Sequence, residues 1–176
     1  PGATQPQRHG LTVRVEKSDL KVCEGARFTV STDRACLLDV IYPDTRAGTF
    51  FRLSPAAIGN PILPAIHGGV TAAFLEVTAI ITLSWSQLWP QVESGAIALS
   101  DLTEGRLPKL PKTIDITVDY LRSGLPRDAY ARAIVSRAGR RYASVRVEAW
   151  QDNRSRLFAQ ATGHFRMPQD GPSPGA

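Results

Sequence analysis

Sulfur is scarce in this chain: two cysteines and one methionine among 176 residues. Cys23 and Cys36 stand thirteen positions apart, with no CxxC spacing and no neighbouring histidine. That pattern argues against a disulfide framework and for a reduced, cytoplasmic protein. His9, His67 and His164 are scattered through unlike contexts, which excludes a clustered structural zinc site. Long apolar runs are missing too. The longest, Val70 to Leu83, contains Glu76 and three threonines, short of the roughly 18–20 apolar residues that span a bilayer. No membrane association is expected. The chain has no phosphate loop, no GxGxxG, no GxSxG and no internal repeat, so the common nucleotide-binding and serine-hydrolase signatures do not apply.

What is present suits one ordinary domain. Hydrophobic residues make up 43% and charged residues 21% of the chain, and its length allows a sizeable core. Residues 1–10 and 168–176 are rich in Pro, Gly and Gln and read as loose tails around a domain at 11–167. The net charge of +5 is unevenly placed. Between Arg122 and Arg166 ten arginines face Asp128, Glu148 and Asp152, so this stretch carries +7 and the remainder −2. Such a basic part suits either a phosphate-bearing ligand or a solvated sheet face. Nucleic acid is not the expected partner.

Ala35–Tyr42 and Gly48–Leu53 have strand composition, with a turn at Pro43-Asp44-Thr45-Arg46. A loop stiffened by Pro55, Pro61 and Pro64 runs into His67-Gly68-Gly69. From Gly69 to about Trp89 the period becomes helical: Val70, Ala73, Phe74, Val77, Ile80, Ile81 and Leu88 follow three- and four-residue steps. Little polar face is left, so the helix is expected inside something. Pro90–Pro111 reads as a long polar connection with a short helix near Ile97–Leu102. Four strands follow: Thr113–Leu121, Ala129–Ser136, Arg141–Trp150 and Leu157–Phe165. In the first, Ile114, Ile116, Val118 and Tyr120 are expected on one face, with Asp115, Thr117 and Asp119 on the other. Strands, one long helix, then an antiparallel meander give an α+β fold.

The chemistry points to the start of the helix. Gly68 and Gly69 allow close approach to backbone amides that have no intrahelical partner, at the positive end of the helix dipole. Such donors can hold a carbonyl oxygen as it becomes an oxyanion. Glu76 lies two turns on, in an otherwise apolar setting. A carboxylate there is either a structural hydrogen-bond acceptor or a general base or nucleophile.

Asn60-Pro61, the prolines, His67-Gly68-Gly69-Val70 and Glu76 together resemble the helix-opening motif of the hotdog-fold thioesterases similar to the phenylacetate-degradation (PaaI-like) enzymes. In that family an acidic residue follows the His of HGG by nine positions, the spacing between His67 and Glu76. The resemblance extends over Thr49–Met167, including Thr113–Tyr120, the Gly139-Arg140-Arg141 turn and Ala159–Gly163. It implies an antiparallel sheet wrapped around one long central helix, and an acyl-CoA thioesterase that uses no metal or redox cofactor. Glu76 matches the catalytic carboxylate, Gly68 and Gly69 the amides at the thioester carbonyl, and His67 a residue that shapes the site. Thr113 matches a position that orients the attacking water. Asn60 matches an upstream Asn, one position out of register with it. The family's site lies between two subunits, which implies a homodimer or homotetramer, with Thr113 coming from the partner chain.

Arg137, Arg140 and Arg141 are candidates for the phosphates of CoA, because guanidinium forks match phosphate geometry. Trp85, Trp89 and Trp150 are candidates for an acyl pocket or for core packing. Two other readings stay open: a hotdog hydroxyacyl dehydratase or hydratase, and a non-catalytic acyl-CoA-binding protein.

Overall fold

The computed structural model describes residues 12–16, 27–31, 37–41, 48–51, 53, 55–59, 62–98 and 109–169. The helical turn expected within 18–25, Asn60, the whole N-terminal tail at 1–10 and the end of the C-terminal tail lie outside the described residues. Eight strands form one antiparallel sheet: β1 (Thr12–Glu16), β2 (Arg27–Ser31), β3 (Leu37–Ile41), β4 (Gly48–Phe51), β5 (Lys112–Tyr120), β6 (Ala129–Ala138), β7 (Tyr142–Trp150) and β8 (Ala159–Arg166). Their spatial order is β1-β2-β3-β4-β6-β7-β8-β5, which makes β5 an edge strand. A short 3-10 turn, Pro55–Ala57, and the long helix α1 (Gly68–Glu93) connect β4 to β5. β1 and β2 were not anticipated, although Val13 and Val15 alternate with Thr12, Arg14 and Glu16, and Phe28 and Val30 with Arg27, Thr29 and Ser31; β1 pairs with β2, and β2 with β3.

The helix lies against β4, β5, β6, β7 and β8. Its buried residues are Thr71, Phe74, Leu75, Thr78, Ala79, Leu83 and Leu88, a stripe at three- and four-residue steps. The facing sheet surface is mostly alanine: Ala129, Ala131, Ala133, Ala143, Ala149, Ala159 and Ala161 are all buried, with Val145, Val147 and Phe165. Small side chains let the helix sit close to the strands, and the bulk comes from Phe74, Leu75 and Leu83. The buried polar pair Thr49–Thr78 is satisfied. Thr78 Oγ1 donates to the Phe74 carbonyl at 2.7 Å, so Thr49 donates to Thr78 at 2.5 Å.

The expectation of a helix enclosed on all sides is corrected within one protomer. Val77, Ile80, Ile81 and Trp85 are only half-buried, and Trp89 is 39% exposed. By length and composition alone the helix could cross a membrane, yet one face is docked on the sheet. It also runs four residues past Trp89, through Pro90. Proline removes a single amide donor, here in the last turn. That turn is closed by Ser94 N–H to the Pro90 carbonyl at 3.1 Å and Gln91 Nε2 to the Gln87 carbonyl at 2.9 Å. The first part of the supposed polar connection is therefore helix, while 99–108 lie outside the described residues. Beyond β8, Met167 N–H donates to the Arg141 carbonyl and Gln169 Nε2 to that of Arg140, both at 2.8 Å, so the chain stays attached through Gln169.

Candidate active site

The loop before the helix closes on itself. Ile58 and Ile66 form an isolated bridge, Gly59 N–H donates to Ala65, and His67 N–H donates to Ala57 at 2.8 Å. Ile66 N–H is held by the Gly124 carbonyl at 2.8 Å. A Cβ on Gly59 would lie 2.7 Å from His67 Cδ2, so the imidazole packs where only glycine leaves room. These contacts deliver His67 to the helix as its N-cap, with Nδ1 accepting from Gly69 N–H at 3.0 Å. His67 thus has a definite structural role. The same bond corrects the expectation that both glycine amides are open: Gly69 N–H is already committed, and Thr71 N–H is bonded to the His67 carbonyl at 3.0 Å. Among the described residues none accepts from Gly68 N–H. The Gly68 carbonyl accepts from Tyr120 Oη at 2.8 Å, a contact between helix start and β5 that no sequence motif signalled.

Glu76 is half-buried and accepts a 2.5 Å hydrogen bond from Thr113 Oγ1. The sequence placed Thr113 beside Glu76 but from a partner chain; here it comes from the same chain. It orients one oxygen, Oε1, and no described residue bonds Oε2.

A β-bulge explains why Thr113 faces the helix. Register along β5 and β8 runs Tyr120↔Ala159, Val118↔Ala161 and Ile116↔Gly163, and then shifts between Thr113 and Asp115 so that Thr113 opposes Phe165. The extra residue is Ile114, which is 54% exposed rather than on the core face expected for it. Unbroken alternation through Ile114 would send Thr113 to the opposite surface; the bulge keeps it on the inner one.

That opposite, outer surface has its own organisation. One cross-strand row reads Asp115↔His164↔Ser144↔Arg137 over β5, β8, β7 and β6. A second bulge, between Val135 and Arg137, puts Arg137 into this row. His164 Nδ1 bonds Asp115 Oδ1 at 2.8 Å. An open cleft of about 570 Å³ is lined there by Arg137, Arg141, Tyr142, Ser144 and His164, among others. Of the three arginines proposed from sequence, Arg137 and Arg141 line it; Arg140 is exposed beside it.

Trp150 is corrected as a pocket residue. It lies on the outer face in a cross-strand row, 6.3 Å from the Tyr130 ring, which is 5.2 Å from that of Phe50, and Arg154 covers Trp150 at 5.4 Å. Trp85 and Trp89 stack on each other, centroids 5.1 Å apart, one turn apart on the helix. Asn60 lies outside the described residues. Among the described residues no three His, Cys, Asp or Glu side chains converge as a metal site.

Comparison with known proteins agrees with this fold. Residues 58–166 match the family model described as the acyl-CoA thioesterase N-terminal domain. The medium/long-chain acyl-CoA thioesterase YigI of Escherichia coli K12 is 34% identical over 118 residues, covering 66% of this chain and 72% of that protein. A solved protein from Shewanella oneidensis related to the thioesterase superfamily is 31% identical, with a TM-score of 0.57 over 73% of this chain and 81% of that one. A phenylacetic acid degradation-related protein from Ralstonia eutropha JMP134 shares the fold at 18% identity, with a TM-score of 0.52 over 74% of this chain and 84% of that one. With the helix on its antiparallel sheet, the HGG cap and the matched span, this chain belongs to the hotdog-fold acyl-CoA thioesterase family.

Proposed function

We propose that this protein hydrolyses medium- to long-chain acyl-CoA thioesters, with Glu76 of one protomer acting on a carbonyl held by the helix start of a second copy. The observation that carries this reading is the short Thr113–Glu76 bond, which fixes a carboxylate beside the unpaired edge of the sheet. The chain length follows the relative named a medium/long-chain acyl-CoA thioesterase.

Distance argues for two copies. Gly68 and Glu76 are eight residues apart on one helix, a rise of about 12 Å, so they cannot serve the same carbonyl within one protomer. Pairing of β5 with β5 of a second copy, antiparallel about its middle, would bring Tyr120 of one strand opposite Thr113 of the other. Tyr120 holds Gly68 and Thr113 holds Glu76, so each helix start would meet the other protomer's carboxylate. The same pairing would protect an otherwise open edge. A homodimer is thus part of the proposal, and a homotetramer would repeat it.

In the reaction, Oε2 of Glu76 takes a proton from water as the oxygen attacks the thioester carbon. The oxyanion is met by Gly68 N–H and the helix dipole, with Gly69 acting indirectly by closing the His67 cap. Collapse breaks the C–S bond, and the proton on Glu76 passes to the departing thiolate. Direct attack by Glu76, through an anhydride that water then opens, uses the same groups. Arg137 and Arg141 take phosphates of CoA. The sequence of steps calls on no resident cofactor, and the cytoplasm is the compartment that suits it.

Thiol release from a panel of acyl-CoAs tests the reading. Glu76→Gln should lower kcat by about a hundredfold or more with the association state unchanged. Near-wild-type turnover by that variant, or a fully active monomer in the ultracentrifuge, would overturn it.

A further inference from the structure

Two successive glycines open the helix, and the backbone between them is held from both sides. The peptide that joins Gly68 to Gly69 donates its N–H to His67 Nδ1 at 3.0 Å, and its carbonyl accepts from Tyr120 Oη at 2.8 Å. The first bond is local; the second comes from β5, 52 positions along the chain. The flanking peptides are fixed as well. His67 N–H donates to the Ala57 carbonyl at 2.8 Å, and the His67 carbonyl accepts from Thr71 N–H at 3.0 Å. A Gly-Gly pair has wide backbone freedom, and the first turn of a helix is where intrahelical amide bonds are missing. These bonds remove that freedom where the thioester carbonyl is to be met.

The two glycines stand there for different reasons. A Cβ on Gly69 would lie 3.1 Å from His67 Nδ1, so a side chain there crowds the cap. A Cβ on Gly68 would lie 3.5 Å from Tyr120 Oη and 3.6 Å from the ring carbons Cε1 and Cζ, which are ordinary contact distances. Among the described residues Gly95, and not Gly68, is the glycine with positive φ. Neither packing nor backbone geometry within the chain therefore demands glycine at 68. What the missing side chain leaves is a clear approach to Gly68 N–H, for which no described residue is an acceptor.

Tyr120 acts on this amide indirectly. Its one proton is committed to the Gly68 carbonyl, so the hydroxyl has no donor left for an oxyanion. Alternation along β5 puts Tyr120 on the same side as Ile116 and Val118, which pack on the core, and the bulge brings Thr113 to that side too. The edge strand thus grips the helix at two points, Tyr120 at Gly68 and Thr113 at Glu76.

We propose that Tyr120 is a positioning residue for the reaction: by holding the Gly68–Gly69 peptide against His67 it keeps Gly68 N–H aimed at the developing oxyanion. A preorganised donor counts most where charge develops in the transition state, so loosening it lowers kcat rather than raising KM. Tyr120 and His67 hold the same peptide from opposite ends, so the loss of either frees it and their effects are not independent. The chemistry rests on the thioesterase reading; the hydrogen bond that carries it does not depend on any reaction.

The test uses the full chain with octanoyl-CoA. Tyr120→Phe keeps the ring beside Gly68 and removes only the hydroxyl. Its kcat should fall about tenfold while KM stays within about twofold, with Tm and association state unchanged. His67→Ala should also lower kcat, and the double variant should be as slow as the slower single variant to within about twofold. A readout independent of activity is amide exchange at isotope-labelled Gly69 by NMR, which should quicken about tenfold in Tyr120→Phe. A near-wild-type kcat in Tyr120→Phe, losses that multiply in the double variant, or unchanged Gly69 exchange overturns the proposal and leaves the thioesterase reading standing. A Tyr120→Phe chain that no longer associates, or that melts markedly lower, would make Tyr120 an interface or stability residue and overturns it too. If the wild type cleaves no thioester across a panel of acyl-CoAs, the thioesterase reading fails by itself. Gly69 exchange then decides whether Tyr120 holds the helix start.

Discussion

The two faces of the sheet, at the end where β5, β7 and β8 meet, carry opposite chemistry on the same strands. The inner face presents alanines and Phe165 to the helix, with Thr113 and Glu76 as a polar pair at its margin. The outer face presents Asp115, His164, Ser144 and Arg137 one register position away. A strand alternates strictly, so one backbone can serve both faces, but its bulges decide which residue goes where. On the proposed reading, bond-making and ligand-holding residues are separated by phase rather than by domain.

The sharpest way to separate the faces is kinetic. Glu76→Gln should act on kcat by about a hundredfold or more, whereas loss of the outer-face arginines should act on KM. A variant of either kind that moved the other parameter equally would merge the two regions into one. Thr113→Val tests the polar pair directly: loss of the hydroxyl should lower kcat by on the order of tenfold. Retained activity in that variant would show that the Thr113–Glu76 bond is dispensable.

Gly163 lies where the faces meet. A Cβ there would approach Phe165 Cε2 at 2.9 Å and the Asp115 carbonyl at 3.2 Å. Overpacking of this kind costs about 1–3 kcal/mol. Gly163→Ala should therefore lower the Tm visibly in calorimetry; an unchanged Tm would mean that the bulge can yield. The smallest effect is expected at Asp152. Its carboxyl is held below the usual value of 3.8 by its own backbone N–H and then by Arg127 and Arg156, against a raising contribution from desolvation. The depressed folded value means that the stabilisation is complete above the unfolded value and disappears as pH falls through the folded one. The side chain is solvent-facing, so Asp152→Asn should change acid stability only slightly, and a carboxyl titration by NMR would show the lowered midpoint.

Much of the fold was legible before any coordinates. The helix and the four strands after it announce themselves through local periodicity, and the nine-residue interval from His67 to Glu76 survives as two and a half turns of one helix. The elements that escaped notice depend on partners. β1 pairs with β2 and β2 with β3, and the exposed side of the helix became visible only once the sheet covered the other. Trp150 was an acyl-pocket candidate by residue type, yet alternation along β7 turns it outward beside Tyr130.

At the candidate site, residue identities were readable and their relations were not. His67, Gly68, Gly69, Glu76 and Thr113 were all identifiable, because spacing along a helix and composition along a strand are properties of the chain itself. Which amide His67 occupies, which chain supplies Thr113 and which face Arg137 occupies were settled by hydrogen bonds between distant segments and by two bulges. By itself the sequence determined an apolar helical period, a glycine pair at a helix start and a carboxylate two turns on. Only the tertiary structure decided register. One extra residue in a strand reverses every side chain before it, and pairing across the sheet alone determines where that residue falls.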